Sequence, residues 1–170
     1  VSEFDRQLAQ ILEAREERWG KRQFYAARFP ALLSMTACIP MPLRADQAVE
    51  LWFTRAASRT LEFLTERGQI LELLEQDTSP DGPWLIAGAL QSPRKLKKLC
   101  VLAEESFPDG RLLDLDVTAQ GGGAVSRRDL GLPPRRCLLC GRPAVECASR
   151  AAHLREEVLA KAQSILDNVQ

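Results

Sequence analysis

Two aspartates one residue apart, Asp114 and Asp116, interrupt an otherwise apolar run, GRLLDLDV. Side chains alternate along a strand, so both would stand on one face with Leu112 and Thr118. Arg111, Leu113, Leu115 and Val117 would take the other. Carboxylates this close repel each other unless something positive lies between them. Mg²⁺ can supply that charge, since it favours one or two carboxylates completed by substrate phosphates. That geometry serves nucleotidyl and phosphoryl transfer. The same pair also suits an acidic face that is simply solvated, as on many antiparallel sheets. If QGGG is a four-residue hairpin loop, Asp129 falls opposite Asp114 and Arg127 opposite Asp116, which adds a third carboxylate. A slip of one residue would undo this.

Two further clusters carry chemistry. SPRKLKK places Arg94, Lys95, Lys97 and Lys98 in the first turns of a helix, where cations oppose the helix dipole. Free N–H groups at the same end favour a phosphate, although an ordinary basic surface has the same composition. Near the C-terminus, CLLCGRPAVECASRAAH supplies Cys137, Cys140, Cys147 and the chain's single histidine, His153. A Cys-x-x-Cys-Gly turn with a third Cys and a His can complete a tetrahedral structural Zn²⁺ site. Buried thiols or a redox pair are the alternatives. A cysteine nucleophile is disfavoured, because no second histidine is available to activate it.

The elements that must position these groups follow from periodicity. Residues 3 to 18 read as a helix, interrupted at Gly20, with a second short helix to Arg28. ALLSMTACI reads as a strand ending in the stiff loop Pro40-Met41-Pro42. Asp46 caps a long helix that stops at Gly68. ILELLEQD and PWLIAGAL read as strands around SPDG, and Ser92-Pro93 opens another helix. RLLDLDVTA and AVSRRDL read as a hairpin pair. LPPRR reads as a rigid linker, and from about Ala148 the tail reads as a helix with His153 early in it. The order strand, helix, strand, strand, helix, strand matches an α+β, ferredoxin-like split βαβ sandwich. An added hairpin strand and flanking N- and C-terminal helices would decorate it.

With 170 residues and 45% apolar content, the chain supports one core, hence a single domain over 1–170 with a Cys/His segment and helix over 131–170. Twenty-three basic against 23 acidic residues argue against bulk nucleic-acid binding. No apolar run approaches the roughly 20 residues of a membrane helix. No signal-peptide pattern stands out, so the cytoplasm is the expected compartment.

Taken together, GRLLDLDV, SRRDLGLPPRRCLLC and the later Cys and His resemble the apo-citrate lyase phosphoribosyl-dephospho-CoA transferase (holo-citrate lyase synthase) family. AREER resembles its early arginine motif, and ALLSMTACIPMPLR its first strand and Pro-x-Pro-basic loop. Met41 departs from the small residue expected there. The resemblance covers nearly the whole chain. It implies transfer of phosphoribosyl-dephospho-CoA from triphosphoribosyl-dephospho-CoA to a serine of the citrate lyase acyl carrier subunit, with loss of pyrophosphate. On that reading Asp114 and Asp116 hold Mg²⁺, with Asp129 a third candidate. Asp114, Asp116, Arg111 and Arg128 are the catalytic candidates. Arg15, Arg18, Arg127, Arg135 and Arg136 are candidates to bind the triphosphate, as forks suited to phosphate oxygens, and Arg44 and Lys95 complete the set. The competing reading is a zinc-containing adaptor that binds a partner protein without catalysis.

Overall fold

The computed structural model describes residues 2–169. Val1 and Gln170, the ends of the expected 1–170 span, lie outside the described residues. Five helices and five strands make an α+β fold: α1 (Glu3–Ala26), β1 (Ala31–Ala37), α2 (Gln47–Glu66), β2 (Leu71–Ser79), β3 (Gly82–Ala89), α3 (Pro93–Ser106), β4 (Leu113–Ala119), β5 (Ala124–Val125), α4 (Ala144–Ser149) and α5 (Arg155–Asn168). The sheet runs β2-β3-β1-β4-β5, and every neighbouring pair is antiparallel.

The two faces of the sheet are unlike. Leu33, Met35, Leu85, Ala87, Leu113, Leu115 and Val117 point into the main core, where Val49, Trp52 and Phe53 of α2 and Leu96, Cys100 and Ala103 of α3 meet them. Ala162 and Leu166 of α5 join that core. Burying Leu113, Leu115 and Val117 gives about 1.5–3 kcal/mol for each side chain. A slip of one residue would forfeit all three, and this holds Asp114 and Asp116 on the opposite face.

That opposite face is divided lengthwise. Leu32, Trp84 and Ile86 form a small apolar patch covered by Tyr25 and Ala26 of α1. Beside it the face turns polar, because Ser34 pairs with Asp116 and Thr36 with Asp114 across β1 and β4. Gly110 opens the approach to β4: a Cβ there would stand 2.4 Å from the Glu104 carbonyl oxygen, so only glycine fits.

Three details differ from the sequence expectation. Gly20 does not break α1, which continues to Ala26; an interior glycine costs only about 1 kcal/mol relative to alanine. The second strand of the hairpin stops at Val125, and its pairing of Val117 with Val125 is one residue away from the register that would face Asp129 to Asp114. Ser126 and Asp129 bond to each other instead, with Asp129 Oδ2 accepting from Ser126 N at 2.8 Å and Oγ at 2.7 Å. Such a local turn competes with the ladder. The tail is two helices, and His153 lies between them.

Before Val117 the outer edge of β4 has no strand partner among the described residues, and side chains take over. Glu104 accepts from Leu115 N at 3.1 Å, and Lys97 Nζ donates to Leu115 O at 2.6 Å. Arg135 Nη2 donates to Leu113 O at 2.5 Å. These bonds satisfy backbone groups that would otherwise be orphaned or free to pair with another chain.

Candidate functional site

A cavity of about 640 Å³ opens over the polar half of the sheet. Its floor is Ser34 and Thr36 of β1 with Asp114 and Asp116 of β4. One wall is α1, which presents Arg15, Arg18 and Arg22 at i, i+3 and i+7, a single helical stripe. The opposite wall is the segment after β5, with Arg135, Cys137, Cys147 and His153. Asp81 and Arg44 close one end.

The aspartate pair is incompletely neutralised. Asp114 Oδ1 accepts from Arg135 Nη1 at 3.2 Å. Arg22 Nη1 stands 3.9 Å from Asp116 Oδ2, too far for a hydrogen bond, and Lys97 also acts on this carboxyl through its charge. Its recessed position and the neighbouring Asp114 push the Asp116 carboxyl above the usual aspartate range, although 52% of its side-chain surface remains open to the cleft. Ser34 Oγ is buried and has no hydrogen-bond partner among the described residues. This floor of hard oxygen donors, short of positive charge, suits a hard divalent cation.

Arg111 lines the same cavity, and its guanidinium is eased below the usual arginine value by burial and by the neighbouring Arg135. It donates to the Arg136 carbonyl. Arg15, Arg18 and Arg44 converge on Asp81, in the turn between β2 and β3. Burial alone would raise the Asp81 pKa. The hydrogen bonds from Arg15 and Arg18 and the charge of Arg44 outweigh it and hold the carboxyl below the usual range.

Other residues singled out from the sequence lie elsewhere. Arg127 donates to Glu104 at 2.6 Å and to Glu105 at 2.7 Å, on the outer side of β4. Exposed Arg128 lines a second cavity on that side, of about 780 Å³, together with Arg127, Asp114 and Asp116. Asp129 is tied into its own turn, and Arg136 is exposed, with its backbone bridging Pro143. Lys95 is exposed near the start of α3. That helix begins just after Ala89, whose β1 partner is Ala31, so it starts at the end of the sheet away from Asp81 and Asp114. Asp81, Arg22, Ser34 and Thr36 were not singled out from sequence. The i+7 spacing of Arg22 from Arg15, and the alternation of Ser34 and Thr36 with Leu33 and Met35, were the available signals.

The C-terminal cluster assembles from three pieces. A tight loop carries Cys137 and Cys140, closed by Cys137 N donating to Arg142 O at 2.8 Å. Cys147 comes from α4, and His153 from the connection to α5. One ligand atom of each lies within 4.8 Å of every other. Leu139 N donates to Cys137 Sγ at 3.4 Å. Arg142 beside Cys140 draws that thiol down to about 6, while burial raises the Cys147 thiol to about 11. His153 Nε2 is buried with no hydrogen-bond partner among the described residues. Three soft sulfurs and an orphaned imidazole nitrogen suit a tetrahedral metal ion.

Carboxylates on the floor of a cleft and guanidinium groups on its walls are the kinds of group that suit a metal-chelated polyphosphate. Comparison with known proteins gives the chain a family. The model of the family described as apo-citrate lyase phosphoribosyl-dephospho-CoA transferase matches residues 6–169. Proteins of the same name from Escherichia coli O1:K1 and from Escherichia coli strain UTI89 are each 31% identical over 163 residues, 95% of this chain and 89% of theirs. One from Shigella boydii serotype 18 is 30% identical over the same shares. The chain belongs to this family, and with it to the transferases. Among the described residues no helix is long and apolar enough to cross a membrane.

Proposed function

We propose that this cleft transfers the phosphoribosyl-dephospho-CoA group of triphosphoribosyl-dephospho-CoA to a serine of the citrate lyase acyl carrier subunit, in the cytoplasm. The observation that carries the reading is the under-neutralised pair Asp114 and Asp116, facing the arginines of α1 across one cavity, in a chain of this family. The strand order of β1 to β4 supports a ferredoxin-like core for it.

Asp114 and Asp116 would hold Mg²⁺, which when bound neutralises phosphate charge and orients the reacting group. The arginine forks of α1, with Arg111 and Arg135, bind and orient the donor phosphates. The serine Oγ attacks the α-phosphorus in line with the bond to the departing phosphates. The Oγ–P bond forms, the bridging P–O bond breaks, and its electron pair leaves with pyrophosphate. The serine proton passes to a floor carboxylate or to solvent. Cys137, Cys140, Cys147 and His153 would hold a structural Zn²⁺ that braces the cleft wall.

The test is transfer itself. Purified protein, carrier subunit, donor and Mg²⁺ are combined, and the carrier is weighed by mass spectrometry. The expected result is a mass gain of one phosphoribosyl-dephospho-CoA group per carrier serine, abolished by Asp114→Asn or Asp116→Asn in folded protein. An unmodified, intact carrier rejects the reading. Aspartate variants that still bind the carrier without modifying it reject the adaptor alternative.

A further inference from the structure

The densest charge in the cleft lies away from the aspartate pair. Asp81 has a side chain only 3% exposed, yet it receives three guanidinium groups. Arg15 donates through Nε at 3.0 Å and Nη2 at 2.9 Å, Arg18 through Nη2 at 2.8 Å and Arg44 through Nη1 at 3.0 Å. Three cations around one carboxylate leave a surplus of two positive charges. Structure alone does not need that surplus. One arginine would pair a buried aspartate, and each additional cation drawn partly out of water brings its own desolvation cost.

The geometry shows where the surplus is directed. Arg15 and Arg18 descend from α1, while Arg44 comes from the turn after β1, so two separate elements converge on one acceptor. Arg44 is also fixed by Nε donating to Ile39 O at 2.7 Å. Gly82 makes room for it: φ there is +99°, and a Cβ would stand 2.7 Å from Arg44 Cγ. Each arginine keeps donors in reserve. Arg15 Nη1, Arg18 Nε and Nη1, and Arg44 Nη2 make no hydrogen bond among the described residues. All three side chains line the cavity whose floor carries Asp114 and Asp116.

We infer that Asp81 is a positioning residue that clamps Arg15, Arg18 and Arg44 into a docking site for the two outer phosphates of the donor, the part that leaves as pyrophosphate. The identity of the donor rests on the transferase reading, whereas the polyphosphate site does not. Asp81 is too buried to present an oxygen to the ligand, so its charge acts on the arginines beneath the site. Guanidinium forks held in place lose little freedom when they meet phosphate oxygens. As the bridging P–O bond breaks, the electron pair collects on the leaving pyrophosphate, where these donors already stand.

Calorimetric titration with inorganic tripolyphosphate, and steady-state transfer kinetics, test this on the full chain. Asp81→Asn is expected to weaken tripolyphosphate binding, and to raise KM for the donor, by about tenfold or more. KM for the carrier should stay within about threefold, because the variant does not touch the carrier. A purely structural clamp would depress folding without this split between the two substrates. Tripolyphosphate binding within about twofold of wild type overturns the inference. Should Asp81→Asn fail to fold, Arg15→Gln replaces it, since the Arg15 side chain is half exposed. Its expected weakening is about fivefold, and unchanged binding is equally fatal. If the wild-type chain binds tripolyphosphate in an Asp81-dependent way but leaves the carrier unmodified, the docking site stands and the transferase reading falls.

Discussion

Arg135 holds Asp114 and the edge of its strand at once: Nη1 donates to Asp114 Oδ1 at 3.2 Å while Nη2 donates to Leu113 O at 2.5 Å and Arg111 O at 2.9 Å. A planar fork can serve these acceptors together, and a lysine ammonium cannot. Arg135→Lys should therefore lower stability by about 1–3 kcal/mol through the carbonyls left unpaired. Transfer should fall as well, because Asp114 loses its orientation. Urea melts and the mass-spectrometric assay read the two effects separately.

The acid pair predicts the opposite balance. Asp116 stands on the same face as Asp114 without a hydrogen-bonded cation, and its folded pKa is raised. For such a group the folded state binds more protons than the unfolded chain between the unfolded and folded pKa values. Stability therefore falls as pH rises through that window and stays reduced at neutral pH. Asp116→Asn removes the repulsion. In chelator at pH 7 it should melt at or above the wild-type temperature, with transfer reduced by about 100-fold or more. Millimolar Mg²⁺ should raise the wild-type Tm and leave that of the variant unmoved. A destabilised Asp116→Asn protein would contradict this account.

Arg127 belongs to the scaffold by its contacts. Its ion pair with Glu104 is nearly buried, at 12% and 3% side-chain exposure, and Glu104 also accepts from Leu115 N. Arg127→Ala leaves a buried carboxylate short of charge and should cost about 3–5 kcal/mol. KM for the donor should not change. A double-mutant cycle with Glu104→Gln checks the assignment, since coupled residues depart from additivity by about 0.5–3 kcal/mol.

How far the sequence carried this picture depended on whether a feature is local. The shared face of Asp114 and Asp116 follows from a period of two and three apolar neighbours, and Arg15 and Arg18 from the likeness of AREER to the family's early arginine motif. Both were legible. Asp81 was not, because SPDG reads only as a turn. Its role depends on α1 crossing the far face of the sheet, which is a tertiary fact. The hairpin shows a competition that periodicity misses: Ser126 and Asp129 satisfy each other locally and end the ladder at Val125. The helix dipole points to Lys95 as a phosphate ligand. It acts on the helix but is silent about which end of the sheet the helix begins from.

Asp81 gives a signed pH dependence. Its folded pKa is depressed by the hydrogen bonds and charge of its three arginines, which overcome its burial. The stabilisation is present above the unfolded value, near 3.8, and is lost as pH falls below it toward the depressed folded value. Thermal melts from pH 6 down to pH 3 should show a steep acid loss in wild type and a shallower one in Asp81→Asn. Parallel curves would mean that other carboxylates carry the acid sensitivity.

The cysteine cluster makes the last prediction. Zn²⁺ bonds of about 2.3 Å to sulfur and 2.0–2.1 Å to nitrogen place tetrahedral ligand atoms roughly 3.5–4 Å apart. Cys140 and Cys147 sulfurs already lie at 3.5 Å, and the whole set lies within 4.8 Å, so only a small contraction closes the shell. Protein purified without chelator should carry about one Zn²⁺ per chain. Removing it with a chelator should lower the Tm and speed hydrogen exchange over residues 137–153, where Cys147 is buried and Leu138 packs against the main core. Because Cys137, Cys147 and His153 also line the cleft, donor binding should weaken together with the wall. Cys137→Ser should reproduce both effects without chelator. Full stability in reduced, metal-free protein would make these residues packing thiols, and the wall would then need no ion to stand.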